Sequence, residues 1–187
     1  MKVSLGEVES TMRKAARGAG WPWGFADELA ASARALEASN LPGVALGTAL
    51  LQLGDLTHCP VRTAARLGDV KVIPTDATLM HCLLLSLPLL GSALGTPSRV
   101  LRATWSTGCA TVDAGGAVQC KLPASEQPIE LTAVRFESTS THKGATVRHD
   151  GHGIAVSETN WQALEQFAIG SYVPASEQSR MGAGPTD

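Results

Sequence analysis

Residues 14–24, KAARGAGWPWG, decide how the first part of the chain folds. They join the basic end of a predicted helix to two glycines, and then to two tryptophans that flank Pro22. Cationic side chains are favourable near the carboxyl end of a helix. Gly18 or Gly20 can supply the left-handed residue that commonly terminates a helix. We therefore expect one helix to end in this segment and a second to begin shortly after it.

The helix before this segment has a clear beginning. Ser4 is followed three residues later by Glu7, which is the spacing of a capping box, so the helix should begin near Leu5. Apolar residues then recur at helical spacing and predict one narrow buried stripe. The stripe consists of Val8, Met12, Ala15 and Ala16.

Two of the four tryptophans in a chain that is only 4% aromatic stand on this one turn. Large apolar side chains usually lie in the core, so one interpretation is that Trp21 and Trp23 both fill it. The other is that a tryptophan edge and Arg17 line a small anion pocket. Gly18, Gly20 and Gly24 would then leave backbone amides within reach of a ligand.

Composition predicts one compact domain over residues 1–187. Charged residues make up 17% and hydrophobic residues 44% of the chain. Because soluble domains usually carry ~25% charged residues, much of the surface must be neutral and polar, or buried against another subunit. A homodimer is the simplest expectation, and a partner subunit is the alternative.

Several partners and locations are disfavoured. A net charge of -2 without a basic run gives no electrostatic footprint for nucleic acid. The longest apolar run, residues 79–93, is interrupted by polar residues and is shorter than the ~20 residues of a membrane span, so we expect no membrane association. No leader pattern directs export, and the four cysteines show no CxxC pairing. A cytoplasmic protein with buried, reduced thiols is therefore expected.

The helical part should extend over about residues 1–95. Helical spacing predicts helices over residues 27–38 and 41–53, the second opened by Pro42. Breakers between residues 55 and 74 indicate a loop with a short strand at 70–73. Asp76 is a suitable N-cap for an apolar helix over residues 77–87, which Pro88 stops or kinks.

The sheet part should extend over about residues 98–157, where β-branched residues and alternation replace the alanine and leucine runs. Short connections favour an antiparallel meander. Ser157 should cap a helix over about residues 159–169. Helices, then a sheet, then one late helix predict an α+β fold. By composition alone, the polar tail 172–187 should be disordered. The predicted strands are 99–106, 108–113, 118–122, 129–138, 145–148 and 154–156.

Both ends of the chain resemble an uncharacterised proteobacterial family. The shared residues are Glu7–Val8–Glu9, KAARGAG and Trp23–Gly24 at one end, and YVPASEQSR with a later GAG at the other. The resemblance covers the whole chain and implies that the two ends act together, but it lends no substrate or catalytic role. The chain departs from the pattern at Pro185 and at Asp187, where a longer acidic end is expected.

Two groups of histidines are candidate metal ligands. The segment His149–Asp150–Gly151–His152, with His142 nearby, suits zinc, but it also suits a polar hairpin turn. The dipeptides His58–Cys59 and His81–Cys82 lack a known finger spacing. We expect no metal at either group, and the absence of nucleotide-binding motifs predicts no cofactor.

The remaining chemistry lies in polar side chains from the two ends, since the chain has no G-x-S-x-G elbow. We hypothesise that they bind or convert a small carboxylate, with arginines clamping the anion and a glutamate moving a proton. A non-catalytic accessory subunit is the alternative function. The catalytic candidates are Glu9, Arg17 and Glu177, and the ligand-binding candidates are Lys14, Gly18, Gly20, Trp21, Trp23, Ser179 and Arg180.

The tail carries more specific chemistry than a solubilising linker needs, although it is too polar to bury itself. We therefore predict that residues 172–180 dock over the first helix and the 21–24 turn. Arg180 should pair with a carboxylate such as Glu9, and Tyr172 should rest on apolar surface. An exposed ion pair contributes only ~0.2–1 kcal/mol, so Tyr172, Val173 and backbone hydrogen bonds must supply most of the affinity.

Overall fold

Three helices form the first part of the chain. The computed structural model describes residues 1–54, 56–70, 73–74, 76–93, 99–121, 129–140 and 153–171. After a short strand β1 (Lys2–Val3) come α1 (Leu5–Gly18), α2 (Trp23–Ala38) and α3 (Gly43–Leu53). The predicted helices are therefore present, and α2 begins four residues earlier than expected, directly after the tryptophan turn.

The predicted capping box begins α1. The Glu7 amide donates to Ser4 Oγ at 3.2 Å, and the Ser4 amide donates to Glu7 Oε2 at 2.7 Å. The four residues of the predicted stripe are all buried. Local signals are thus sufficient to define both the beginning and the buried face of this helix.

Two predictions for the region between residues 55 and 93 are wrong. Residues 60–70 form a helix, α4 (Pro60–Val70), where a loop was expected. The predicted helix over residues 77–87 is instead strand β2 (Thr78–Met80) and a 3₁₀ turn (Leu83–Ser86), followed by helix α5 (Leu87–Ala93). Pro60 and Pro88 lie in the first turn of their helices, where a missing amide costs nothing, so they begin helices that we expected them to interrupt.

Five antiparallel strands form the main sheet in the order β2-β6-β3-β4-β5. The later strands are β3 (Arg99–Trp105), β4 (Gly108–Asp113), β5 (Val118–Cys120) and β6 (Thr132–Ser140). β6 pairs with β3 rather than with β5, so these four strands have the order of a Greek key and not of a simple meander. The antiparallel prediction is confirmed, and the meander is wrong.

The last elements return to the beginning of the chain. Strand β7 (Ile154–Ala155) pairs with β1, forming a second, two-stranded sheet. Helix α6 (Glu158–Ile169), capped by Ser157 as predicted, packs against α1. A methyl group at Gly18 would overlap the carbonyl oxygen of Phe167, so the close helix contact requires glycine there. The predicted strand at 145–148 lies outside the described residues.

Helices and sheet share one buried cluster. It includes Met12 and Leu29 from the helices, and Leu101, Val134 and Phe136 from the sheet. In β3, buried residues that belong to this cluster alternate with exposed residues. Apolar and polar side chains therefore alternate along that strand. The protein therefore has an α+β fold, as expected. Within the described ranges, no helix is long and apolar enough to cross a membrane.

Candidate functional site

The turn between α1 and α2 is a Schellman motif. The Trp21 amide donates to the Ala16 carbonyl and the Gly20 amide to the Arg17 carbonyl, both at 2.9 Å. Gly20 has a φ of 85°, the left-handed conformation that this motif requires. The amides of Gly20 and Trp21 are therefore used inside the turn, and they are not available to a ligand.

The two tryptophans have opposite environments. Trp21 is buried at 4% exposure, where it closes the end of α1, whereas Trp23 is 65% exposed. The interpretation that both rings lie in the core is therefore wrong for Trp23. The reason is positional, because Trp21 follows the left-handed residue and turns back onto α1, while Trp23 is the first residue of α2.

Arg17 lies over the exposed ring. Its guanidinium carbon is 4.4 Å from the centroid of the Trp23 ring, and Nη1 donates to the Trp21 carbonyl oxygen. Stacking and the hydrogen bond together hold the guanidinium group in one place. Among the described residues, no carboxylate forms an ion pair with it.

The same surface contains the beginning of α2. Pro22 is the N-cap residue and provides no side-chain acceptor, so the first amides of this 16-residue helix have no cap. Added Cβ atoms at Gly20 and Gly24 would meet nothing within 4 Å, so the surface beside the ring is open. A guanidinium group and an uncapped helix N-terminus both favour an anion here.

The other candidates from α1 are spread over the helix. Glu9 Oε1 pairs with Arg13 at 3.0 Å, and Glu9 Oε2 pairs with Arg34 at 3.4 Å. Because Glu9 precedes Arg17 by eight residues, it lies about 12 Å away along the helix axis. Lys14 is exposed, and Gly18 packs against α6. The structure thus brings together Arg17, Trp21 and Trp23, but not Glu9.

The tail candidates Glu177, Ser179 and Arg180 lie outside the described residues, as does the predicted docking of the tail. The chain nevertheless enters this segment close to the candidate site. An added Cβ at Gly18 would lie 3.0 Å from the amide nitrogen of Ser171, the last described residue. The tail therefore starts beside the end of α1.

The two His–Cys dipeptides meet in the fold. The His81 amide donates to the His58 carbonyl at 3.1 Å, and the ring centroids are 6.4 Å apart. Burial raises the pKa of the Cys59 thiol, and burial with the nearby Cys59 raises the pKa of Cys82 to about 12. These thiols are therefore protonated and unreactive at neutral pH.

In the part of the chain that the structure describes, no three histidine, cysteine, aspartate or glutamate side chains come together in a group that could hold a metal ion. His142, His149 and His152 lie outside it. All four cysteines are described, and none forms a disulfide. Cys109 and Cys120 are half-buried, so the expectation that all four thiols are buried is wrong for these two.

Sequence reasoning missed Glu37, which is 8% exposed and lines a cavity of about 380 Å³. Its Oε1 accepts the Val44 amide at 2.8 Å, so it caps α3 from the last turn of α2. Burial raises its pKa to about 7, although hydrogen bonds from the Val44 and Gly43 amides act in the opposite direction. Pro42 gave a usable signal, since a proline N-cap needs an acceptor from elsewhere.

Comparison with known families adds one finding. Residues 3–78 match the model of a family described as Protein of unknown function (DUF3726). This part of the chain is similar to that family. The DUF3726 segment contains the KAARGAG and Trp23–Gly24 motifs, so the expected resemblance to an uncharacterised family is confirmed for this end. No curated protein and no solved structure matches the chain.

Proposed function

We propose that this protein binds a small carboxylate on the surface formed by Arg17, Trp23 and the first turn of α2. The observation that carries the proposal is the Arg17 guanidinium group, which is stacked on an exposed ring and anchored to a carbonyl. A guanidinium group held in this way loses little freedom when it binds an anion. Nη2 and Nε donate to no acceptor among the described residues, so both are available for a bidentate contact with a carboxylate.

Local charge is consistent with an anionic ligand. Asp27, one of two neighbouring acidic residues on the second turn of α2, is paired with Arg13 at 2.5 Å. Its negative charge is therefore compensated, and the helix N-terminus adds a partial positive charge. These features support binding rather than turnover, because Glu9 is engaged by two arginines and is distant from Arg17 along α1.

The tail is the second half of the proposed site. We propose that Glu177, Ser179 and Arg180 reach the ligand, and that Lys14 attracts it from one turn away. The position of Ser171 beside Gly18 supports this, since the tail then has only a few residues to cross. A truncation after Ser171 should weaken carboxylate binding, and unchanged affinity would remove the tail from the site.

Calorimetric titration with a panel of mono-, di- and tricarboxylates tests the proposal. At least one acid should bind, and Arg17→Gln should weaken it by tenfold or more, because one charge-assisted pair contributes about 1.5–3 kcal/mol. Lys121→Gln is the matched control, since it removes the same charge from an exposed residue after β5. Equal losses in both variants, or no binding by any acid, would rule the site out.

A second function, that of a non-catalytic accessory subunit, has one specific observation in its favour. Trp23 is 65% exposed at the first residue of α2, and Ile169 is 57% exposed at the last residue of α6. Exposed apolar side chains of this kind often mark a partner surface, either a second copy or another subunit. Light scattering should then show an oligomer that Ile169→Asp dissociates, whereas a monomer at high concentration contradicts the homodimer.

The cytoplasm is the compartment that we propose. The absence of disulfides among the four cysteines is typical of a reducing environment. Fractionation of cells that express the tagged chain would test the location directly.

A further inference from the structure

The cavity lined by Glu37 lies at the opposite end of α2 from the Arg17 surface. It is bounded by the end of α2, the beginning of α3 and the segment that leads from β7 into α6. Its volume of about 380 Å³ is within the range of small-molecule sites, ~300–1,000 Å³. Most of the wall is aliphatic, and the polar side chains on it are Glu37, Asn40, Ser157 and Asn160.

Glu37 is the only ionisable residue among the described residues that line this cavity. The carboxylate forms no ion pair within the described ranges, and only backbone amides compensate its charge. Buried charges are normally paired, because desolvation costs more than hydrogen bonds to amides return. A cation inside the cavity would supply the missing partner.

The other polar groups also suit a hydrogen-bond donor. Asn40, Ser157 and Asn160 line the cavity and carry amide or hydroxyl oxygens, which can accept hydrogen bonds. Asn40 has a φ of 57° and forms part of the tight connection between α2 and α3. A primary ammonium group has three N–H donors, so the carboxylate and two of these acceptors are enough to satisfy it.

Two cationic groups of the protein lie near the rim, but neither pairs with Glu37. The Met1 ammonium group donates to the Val156 carbonyl at 3.0 Å. The Lys2 side chain packs near Gly153, since an added Cβ there would lie 3.8 Å from Lys2 Cδ. The Met1 ammonium group is therefore already used by the backbone, and neither group forms an ion pair with Glu37 within the described ranges.

We propose that this cavity binds a small primary ammonium compound, with Glu37 as the counter-ion and Asn40, Ser157 and Asn160 as hydrogen-bond acceptors. The proposal is independent of the carboxylate site.

The test uses the whole chain with methylammonium and ethanolammonium chloride at pH 8, against sodium chloride of equal concentration. Both amines should raise the melting temperature in a dose-dependent way and shift the Val44 amide resonance. Glu37→Gln keeps an acceptor for the Val44 amide but loses the charge, so affinity should fall at least tenfold. Glu130→Gln, which removes the same charge from an exposed residue beside β6, should leave affinity unchanged.

Three outcomes overturn the proposal. One is equal binding by the wild type and Glu37→Gln, and another is equal binding of tetramethylammonium, which has no N–H donor. The third is a Val44 amide that does not move with any amine, a result that is independent of whether the variant folds. Affinity in the wild type should also fall by about tenfold or more from pH 8 to pH 5.5, where Glu37 is mostly protonated.

Discussion

Trp21 and Trp23 are two residues apart, but Trp21 is buried and Trp23 is exposed. The difference follows from the left-handed conformation of Gly20, which precedes both of them. Gly20 turns Trp21 back onto α1, where it is buried, and Trp23 then begins the next helix on the outside. The composition of the turn predicted that a helix ends here. Which ring faces outward depends on the direction in which α2 leaves, and that direction is determined by the packing of α2 against α1.

Gly18 and Gly24 make a matched pair of substitutions. Gly18→Ala should lower the free energy of unfolding by about 3 kcal/mol, because the added methyl overlaps Phe167 and forces α6 away from α1. Gly24→Ala places the methyl in open space on the first turn of α2, so it should be neutral or stabilise by ~0.5–1 kcal/mol. Urea denaturation of both variants checks this. Similar stabilities would contradict the close contact.

Glu37 makes stability depend on pH. Its pKa is about 7 in the folded protein and near 4.5 when unfolded, so the folded state binds more protons between these values. The contribution of the protonated group is complete below about pH 4.5 and is lost as the pH rises through 7. Relative to Glu37→Gln, the wild type should therefore lose roughly 3 kcal/mol between pH 4 and pH 8. Parallel stability curves for the two proteins would show that Glu37 titrates normally.

At the scale of elements, the sequence predicted the helices whose signals are local. The capping box of α1 and the Ser157 cap of α6 involve residues within three positions of each other. The chain between residues 55 and 93 was misread because its structure depends on distant partners. β2 exists because residues 78–80 pair with β6, more than fifty residues later, and an apolar run alone does not distinguish strand from helix.

The capping box gives a prediction for α1. Ser4→Ala removes the acceptor of the Glu7 amide and should cost about 1 kcal/mol of folding free energy. Ser10→Ala on the same helix is the control. Ser10 is exposed and its hydroxyl bonds the Glu7 carbonyl, so alanine should have little effect or stabilise slightly. Chemical denaturation should separate the two, and an equal effect would argue against the capping box.

At the scale of the whole molecule, the predicted order of helices, sheet and late helix is correct, whereas the cavity at Glu37 was not foreseen. Its walls come from residues 37–45 and 154–160, and no local pattern indicates that these segments meet. The Greek key was missed for the same reason. Strand pairing was inferred from short connections, but β6 passes β5 and pairs with β3.

Helix α6 should be essential for the fold as a whole. A chain that ends at Ser157 leaves the α1 face around Gly18 uncovered and removes the buried Trp161 and Leu164. We expect it to lose its cooperative thermal transition. A chain that ends at Ser171 keeps these contacts and should retain the transition. Calorimetry that finds cooperative unfolding in the shorter chain would contradict this role of α6.

The pairing of β1 with β7 and the packing of α1 on α6 also have a consequence for synthesis. The segments that contact residues 1–18, β7 and α6, are synthesised roughly 140 residues later. At ~5–20 residues per second, this delays their contact by on the order of ten seconds. During that time α2 and α3 are the neighbours available to α1, and the side that receives α6 stays open to water. Chaperone demand during translation should therefore be concentrated on the nascent amino-terminal helices.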